Sequence, residues 1–188
     1  DPLLKSPPGP RDQEMPAKLL MAYGFSPAML AEAESRYRVP VREAYGMTEI
    51  GMGLLVPADI EDDAIIGTCG LPGPWREFRI ANDEGGNAPD GQPGELWVRG
   101  EGVCRGYYKR PQANEATFVD GWFRTGDLFV RDERGYYRIV GRIKDMIKRS
   151  GENISAAEVE QVLLELPDVV EAAVLPVPDA DRDEELRD

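Results

Sequence analysis

The hydrophobic period of the chain changes at Gly141-Arg142, and no other feature limits the possible folds as much. Before that point, Glu77-Phe78-Arg79-Ile80 and Glu95-Leu96-Trp97-Val98-Arg99 alternate polar and apolar residues around the Asp/Gly/Pro-rich stretch 82–94. This predicts a hairpin with a long turn. A second strand pair is expected around 128–130 and 136–140, joined by Asp132-Glu133-Arg134-Gly135. Short strands at this spacing over 65–141 predict a small barrel or twisted sheet. After Gly141-Arg142 the period becomes helical. Ser155-Ala156-Ala157-Glu158 is a capping box, Val159, Val162, Leu163 and Leu166 share one face, and Pro167 ends the run. Residues 169–177 then read as a buried strand. The acidic tail 181–188 offers that strand nothing to pair with, so this last unit is expected to be incomplete.

The first third reads differently. Residues 1–16 contain five of the sixteen prolines and are expected to form a poorly structured lead-in. Ser26 is a predicted N-cap with Pro27 in the first turn, and Met29, Leu30, Ala33 and Tyr37 form the apolar face of a short helix. After Val39-Pro40, a strand should lead into Tyr45-Gly46-Met47-Thr48-Glu49. The fold class is therefore mixed α/β. The expected divisions are an α/β segment over 17–64, the β-rich subdomain over 65–141, a hinge at 142–144 and a partial α/β domain over 145–188.

Composition excludes several functions. The chain carries a net charge of −13, which makes it a poor general binder of nucleic acid or anionic membrane. It has no histidine, so Ser-His and Cys-His mechanisms and most zinc sites are excluded within it. No apolar run approaches the roughly 20 residues that span a bilayer, and the start has no signal-peptide pattern. Cys69 and Cys104 have neither CxxC nor metal-ligand spacing. They are expected to be reduced thiols in a cytoplasmic protein, with a disulfide between them as the alternative.

Three places carry candidate chemistry. Between Arg138 and Arg149 lie five basic residues (Arg138, Arg142, Lys144, Lys148, Arg149) and one acid, Asp145. Such a concentration suits a phosphorylated ligand, or a solvated hairpin. Thr48 beside Glu49 pairs a hydroxyl with a hard oxygen ligand, a combination suited to phosphate with Mg²⁺, or to an ordinary loop. Asp127, beyond the glycine turn at Gly126, can accept two hydrogen bonds from a vicinal diol, or bond its own backbone.

In order and approximate spacing, the strings YGMTE (45–49), GELWVRGEGVCRGYY (94–108), GWFRTGDL (121–128) and GYYRIVGRIKDMIKRSGENISAAEVE (135–160) resemble the adenylate-forming superfamily. The likeness runs from about residue 19 to the end, and its wording favours the acyl-CoA synthetase, or acid:CoA ligase, branch. The resemblance implies that Thr48 contacts the AMP phosphate and Glu49 the Mg²⁺, with Arg142 reaching ribose or phosphate. It further implies that Tyr23, Gly24, Tyr45, Gly46 and Met47 line the adenine and acyl pocket and that Asp127 holds the ribose. Lys144 would be the pivot of the hinge, and Ser150-Gly151-Glu152-Asn153 the loop that meets coenzyme A. The implied partners are a small carboxylic acid, ATP and coenzyme A, with no nucleic acid and with self-association open.

Two departures qualify the likeness. The family's glycine-rich phosphate loop and its far C-terminal lysine have no counterpart here, so the chain is expected to be an inactive piece of a longer enzyme. Tyr23 stands where relatives carry small residues, which leaves the acid open. A non-catalytic nucleotide-binding or regulatory fragment is the alternative, as is an acyl-AMP ligase that hands its acyl group to a carrier protein.

Overall fold

The computed structural model of the chain describes residues 2–60, 62, 65–149, 152–164, 166, 168–179 and 183–187. The first unit begins with helix α1 (Pro2–Lys5) and strand β1 (Leu20–Ala22), followed by helix α2 (Pro27–Tyr37) and strand β2 (Val41–Met47). β1 and β2 are parallel, with α2 as the crossover between them. Ser26 caps α2 as expected, its side chain accepting from the Met29 amide at 3.3 Å. Leu30, Ala33 and Tyr37 form the buried face. Strands β3 (Gly51–Leu55) and β4 (Leu71–Pro72) complete a sheet of order β1-β2-β3-β4. The expected lead-in is held in place. Arg36 of α2 donates to the carbonyls of Leu3, Ser6 and Pro7 and to the Asp12 carboxylate, which fastens residues 3–12 to the helix. Proline-rich sequence predicted loose chain, but these carbonyls find donors on one half-buried guanidinium.

The β-rich unit contains both predicted hairpins. β5 (Arg76–Ala81) pairs with β6 (Gly94–Gly100), with Phe78 opposite Val98 and Ile80 opposite Leu96. Helix α3 (Pro111–Thr117) leads through β7 (Phe118–Val119) into β8 (Trp122–Arg131), which pairs with β9 (Tyr137–Arg142). The result is a curled five-stranded sheet of order β5-β6-β8-β7, with β9 also on β8. Alternation puts Leu96, Val98, Phe123 and Phe129 on one face with 0–1% exposure, against Leu54 and Ile50 of the first unit. Burying each such side chain contributes about 1.5–3 kcal/mol. Because Tyr45 belongs to the same core, β2 is fixed relative to the curled sheet.

Beyond a short turn (Ile143–Asp145), β10 (Met146–Arg149), β11 (Glu152–Ser155), β12 (Leu175–Asp179) and β13 (Asp183–Arg187) form an antiparallel sheet of order β11-β10-β13-β12. Helix α4 (Ala156–Leu164) starts at the predicted cap, with the Ser155 hydroxyl accepting from the Glu158 amide at 3.4 Å. Three expectations change here. Val159 and Leu163 pack on Ile147, but Val162 and Leu166 are exposed. The strand expected over 169–177 begins only at Leu175; Val170 is exposed, and Val174 alone of that stretch joins the small core. The acidic tail does supply a partner: β13 pairs with β12 from Leu175↔Arg187 to Asp179↔Asp183. Ladder bonds use the backbone, so a charged sequence can form them. Among the described residues no helix is long and apolar enough to cross a membrane.

Candidate active site

Asp127 joins the curled sheet to the first unit of the fold. It lies inside β8, opposite Arg142 of β9, and is 3% exposed. Its Oδ2 accepts from the Tyr45 hydroxyl at 2.7 Å, and its Oδ1 faces Arg142 Nε at 3.1 Å. Burial first, then the bond to Asp127, pushes the Tyr45 hydroxyl pKa up, so the phenol remains a donor. Each carboxylate oxygen keeps a further lone pair, and Asp127 lines the wall of a cleft. That cleft, with a volume of about 500 Å³, is lined by Met47, Tyr107, Asp127, Arg142, Ile143 and Lys144 among others. The sequence reading placed Asp127 beyond a turn. It sits instead in a bulged strand, and its side chain spans to another sheet rather than folding onto its own backbone.

Glu49 occupies the tight turn between β2 and β3, where the Ile50 amide donates to the Met47 carbonyl at 3.1 Å. Thr48 is exposed and Glu49 half-buried. Glu49 does not simply face water: its Oε1 accepts from the Tyr107 hydroxyl at 2.9 Å. Tyr107 is itself clamped by Asn114 of α3, whose Oδ1 accepts from the Tyr107 amide at 2.7 Å and whose Nδ2 donates to its carbonyl at 3.0 Å. Burial, and then the bond to Glu49, pushes the Tyr107 hydroxyl to about 12. Among the described residues no group of three or more metal-ligating side chains exists. A single carboxylate suits a Mg²⁺ held chiefly by the phosphates of its ligand.

Other predicted residues lie elsewhere. Tyr23 is 55% exposed and lines a separate apolar hollow of about 280 Å³ with Leu4, Leu20, Phe25 and Tyr37. Gly24 follows it in the chain, away from the cleft lining. Gly46 is a glycine for an internal reason, because a Cβ there would meet the Gly51 carbonyl at 2.4 Å where β2 crosses β3. Of the basic residues over 138–149, Arg142 and Lys144 line the cleft beside Asp127, and the side chains of Lys148 and Arg149 lie outside the described residues. Arg138 Nη1 donates to the Gly67 carbonyl at 2.7 Å, and Lys144 is exposed. Of the expected coenzyme A loop, Ser150 and Gly151 lie outside the described residues, while Glu152 and Asn153 pair with Arg149 and Lys148 between β11 and β10. Cys69 and Cys104 are both free.

Sequence reasoning missed three residues. Tyr107 and Glu95 both fall within the string 94–108, where strand alternation alone hides their roles. Glu43 is 8% exposed on β2, and burial raises its carboxyl to about 7 against the lowering effects of the Gly24 amide and Arg138. Its only signal was an acid on the same face of the strand as Val41 and Tyr45.

A buried acid reaching from a curled sheet to a neighbouring α/β unit, beside an arginine at a turn, defines a small-ligand cleft shared between units. The AMP-binding enzyme family matches residues 11–108, and the chain belongs to that family. It is 43% identical over 147 residues to a sulfoacetate–CoA ligase of Cupriavidus necator, covering 78% of this chain and 29% of that protein. It is 42% identical over 146 residues to a long-chain-fatty-acid–CoA ligase of Escherichia coli, covering 77% of this chain and 26% of that protein. The structure superposes with a TM-score of 0.82 on the o-succinylbenzoate CoA synthetase of Bacillus subtilis in complex with the acyl-adenylate intermediate OSB-AMP, at 33% identity, covering 90% of this chain and 35% of that one. The chain thus spans about three-tenths of the length of the curated relatives it matches.

Proposed function

We propose that these residues form the nucleotide-facing part of an AMP-forming acid:CoA ligase. Such an enzyme joins a carboxylate to the α-phosphorus of ATP with loss of pyrophosphate, then exchanges AMP for the thiol of coenzyme A. The observation that carries the reading is Asp127, buried between Tyr45 and Arg142 in the wall of the cleft. In this assignment Asp127 accepts the two ribose hydroxyls, Arg142 reaches ribose or phosphate, and Thr48 donates to the α-phosphate. Glu49 would hold a Mg²⁺ that screens the repulsion between ATP and carboxylate. Met47 and Tyr45 border the nucleotide, and Tyr23 and Gly24 contribute from the apolar hollow to the acyl side. Residues 17–64 would close a nucleotide-binding subdomain and 65–141 would flank it. Lys144 would be the pivot at 142–144, and Ser150 to Asn153 would meet coenzyme A. Relatives of nearly equal identity act on a two-carbon sulfonated acid and on long-chain acids, so the acid itself is left unassigned.

Asp127→Ala in the intact ligase tests the reading. Loss of both acceptor positions should weaken ATP binding by at least about tenfold, because the ribose hydroxyls and Tyr45 are left unpaired. An unchanged Kd for ATP in titration calorimetry would remove Asp127 from the site.

A further inference from the structure

Three N–H groups and the charge of the Arg124 guanidinium converge on the Glu95 carboxylate, which the proposed reaction leaves without a role. Its Oε1 accepts from the Gly126 amide at 3.1 Å. Its Oε2 accepts from Trp97 Nε1 at 2.9 Å and from Arg124 Nε at 2.9 Å, with Arg124 Nη2 in an ion pair at 2.8 Å. Glu95 is 8% exposed, so these bonds are largely shielded from water.

The partners surround an irregularity in the ladder between β6 and β8. Glu95 pairs with Leu128 and Trp97 with Arg124, so the single residue Leu96 faces residues 125–127. Side chains replace the missing ladder bonds. The Gly126 amide goes to Glu95, the Asp127 amide to Thr125 Oγ1 at 3.1 Å, and Thr125 Oγ1 donates to the Leu96 carbonyl at 2.8 Å. Gly126 adopts φ +73°, a conformation open to glycine, and the strand bends there. The bend carries Asp127 toward Tyr45.

We infer that Glu95 is a positioning residue for nucleotide binding: it holds the bulge 125–127 in the register that aims the Asp127 carboxylate into the cleft. The inference rests on the assignment of Asp127 to the ribose. A carboxylate suits this place because every partner is a donor, and an ionised carboxyl only accepts. An amide would turn its NH₂ either toward the Gly126 amide or toward Trp97 and Arg124, setting donor against donor. It would also remove the counter-charge from Arg124, whose guanidinium lies 5.4 Å from the Trp97 ring centroid.

The test measures the ATP Kd by titration calorimetry in the intact ligase. The variants are Glu95→Gln, Thr125→Val, Asp127→Ala and the double variant Glu95→Gln/Asp127→Ala. Glu95→Gln should weaken ATP about tenfold while the KM for the carboxylic acid stays at the wild-type value. In the double variant, Glu95→Gln should add no further loss, since no Asp127 carboxylate remains to be aimed. Thr125→Val removes two other bonds of the bulge at constant shape. It should reproduce the pattern and keeps the question open to measurement if Glu95→Gln fails to fold. Wild-type ATP affinity in either single variant, or a loss that adds in full to that of Asp127→Ala, overturns the inference. If Asp127→Ala itself binds ATP normally, the ribose assignment has failed, a result distinct from failure of Glu95 alone.

Discussion

Two single residues lead to predictions, Tyr107 at the cleft and Glu43 buried outside its lining. Tyr107 gives Glu49 a hydroxyl donor and fixes which carboxylate oxygen stays available. Tyr107→Phe keeps the edge contact with Phe118, at 6.1 Å between ring centroids, and deletes only that bond. In the intact ligase, the Mg²⁺ concentration for half-maximal pyrophosphate exchange should rise about fivefold or more. An unchanged Mg²⁺ titration would show that Tyr107 does not orient Glu49. Glu43 gives a prediction in pH. Burial raises its carboxyl from the ordinary value of 4.5 to about 7 in the folded chain. Below the unfolded pKa both states are protonated. As pH rises toward 7, the unfolded chain ionises first, so the Glu43 contribution to stability falls and then levels off. Wild type should therefore lose on the order of 1–2 kcal/mol more than Glu43→Gln between pH 5 and 7.5, solvent at the partly wetted carboxyl screening the remainder. Urea midpoints for the two proteins at both pH values check this, and parallel pH dependences would assign the loss to other groups.

Among the elements, those with a strong period were legible in the sequence and those built from backbone pairing were not. Helix α2, both hairpins of the curled sheet and the start of α4 follow from caps and alternation, because the same residues that set the period also make the core. β13 was invisible, since a charged strand signals nothing through its side chains. Residues 169–174 failed for the opposite reason: an apolar run looks the same whether it ends in a strand or on the surface. At the candidate site, the motifs pointed to Asp127 and Arg142, which β8 and β9 bring together, but the bulge at 125–127 is a matter of register, which sequence pattern does not encode. α4 offers a test of what holds an element at its boundary. The Ser155 hydroxyl accepts from the Glu158 amide and donates to the Val140 carbonyl at 3.0 Å, tying the helix start to the end of β9. Ser155→Ala should cost about 1–2 kcal/mol locally. Hydrogen exchange should quicken at amides 156–160 and leave the core of β6 and β8 unchanged. Equal acceleration in both would mean that the cap supports the whole fold.

For the whole molecule, the decisive region is the turn Ile143–Asp145, where the curled sheet gives way to the last sheet. Its side chains are exposed or nearly so, and Lys144 makes only a 4.0 Å approach to Asp145. Among the described residues, the side-chain link across this junction is the Ser155 hydroxyl on the Val140 carbonyl. A junction with so few ties allows one unit to rotate against the other, with one or two residues absorbing the change in φ and ψ. Proline at 144 fixes φ near −65° and removes an N–H, which suits the present short turn but not a rotated one. In the intact ligase, Lys144→Pro should therefore keep one arrangement. Acyl-AMP formation, assayed by pyrophosphate exchange, should stay within about threefold of wild type, while thioester formation from preformed acyl-AMP should fall by at least about a hundredfold. If both half-reactions fall together, Lys144 acts in packing or chemistry rather than as a pivot. If neither falls, the rotation occurs elsewhere between 141 and 146. The first pattern alone fits a turn whose freedom is needed only after the nucleotide has done its work.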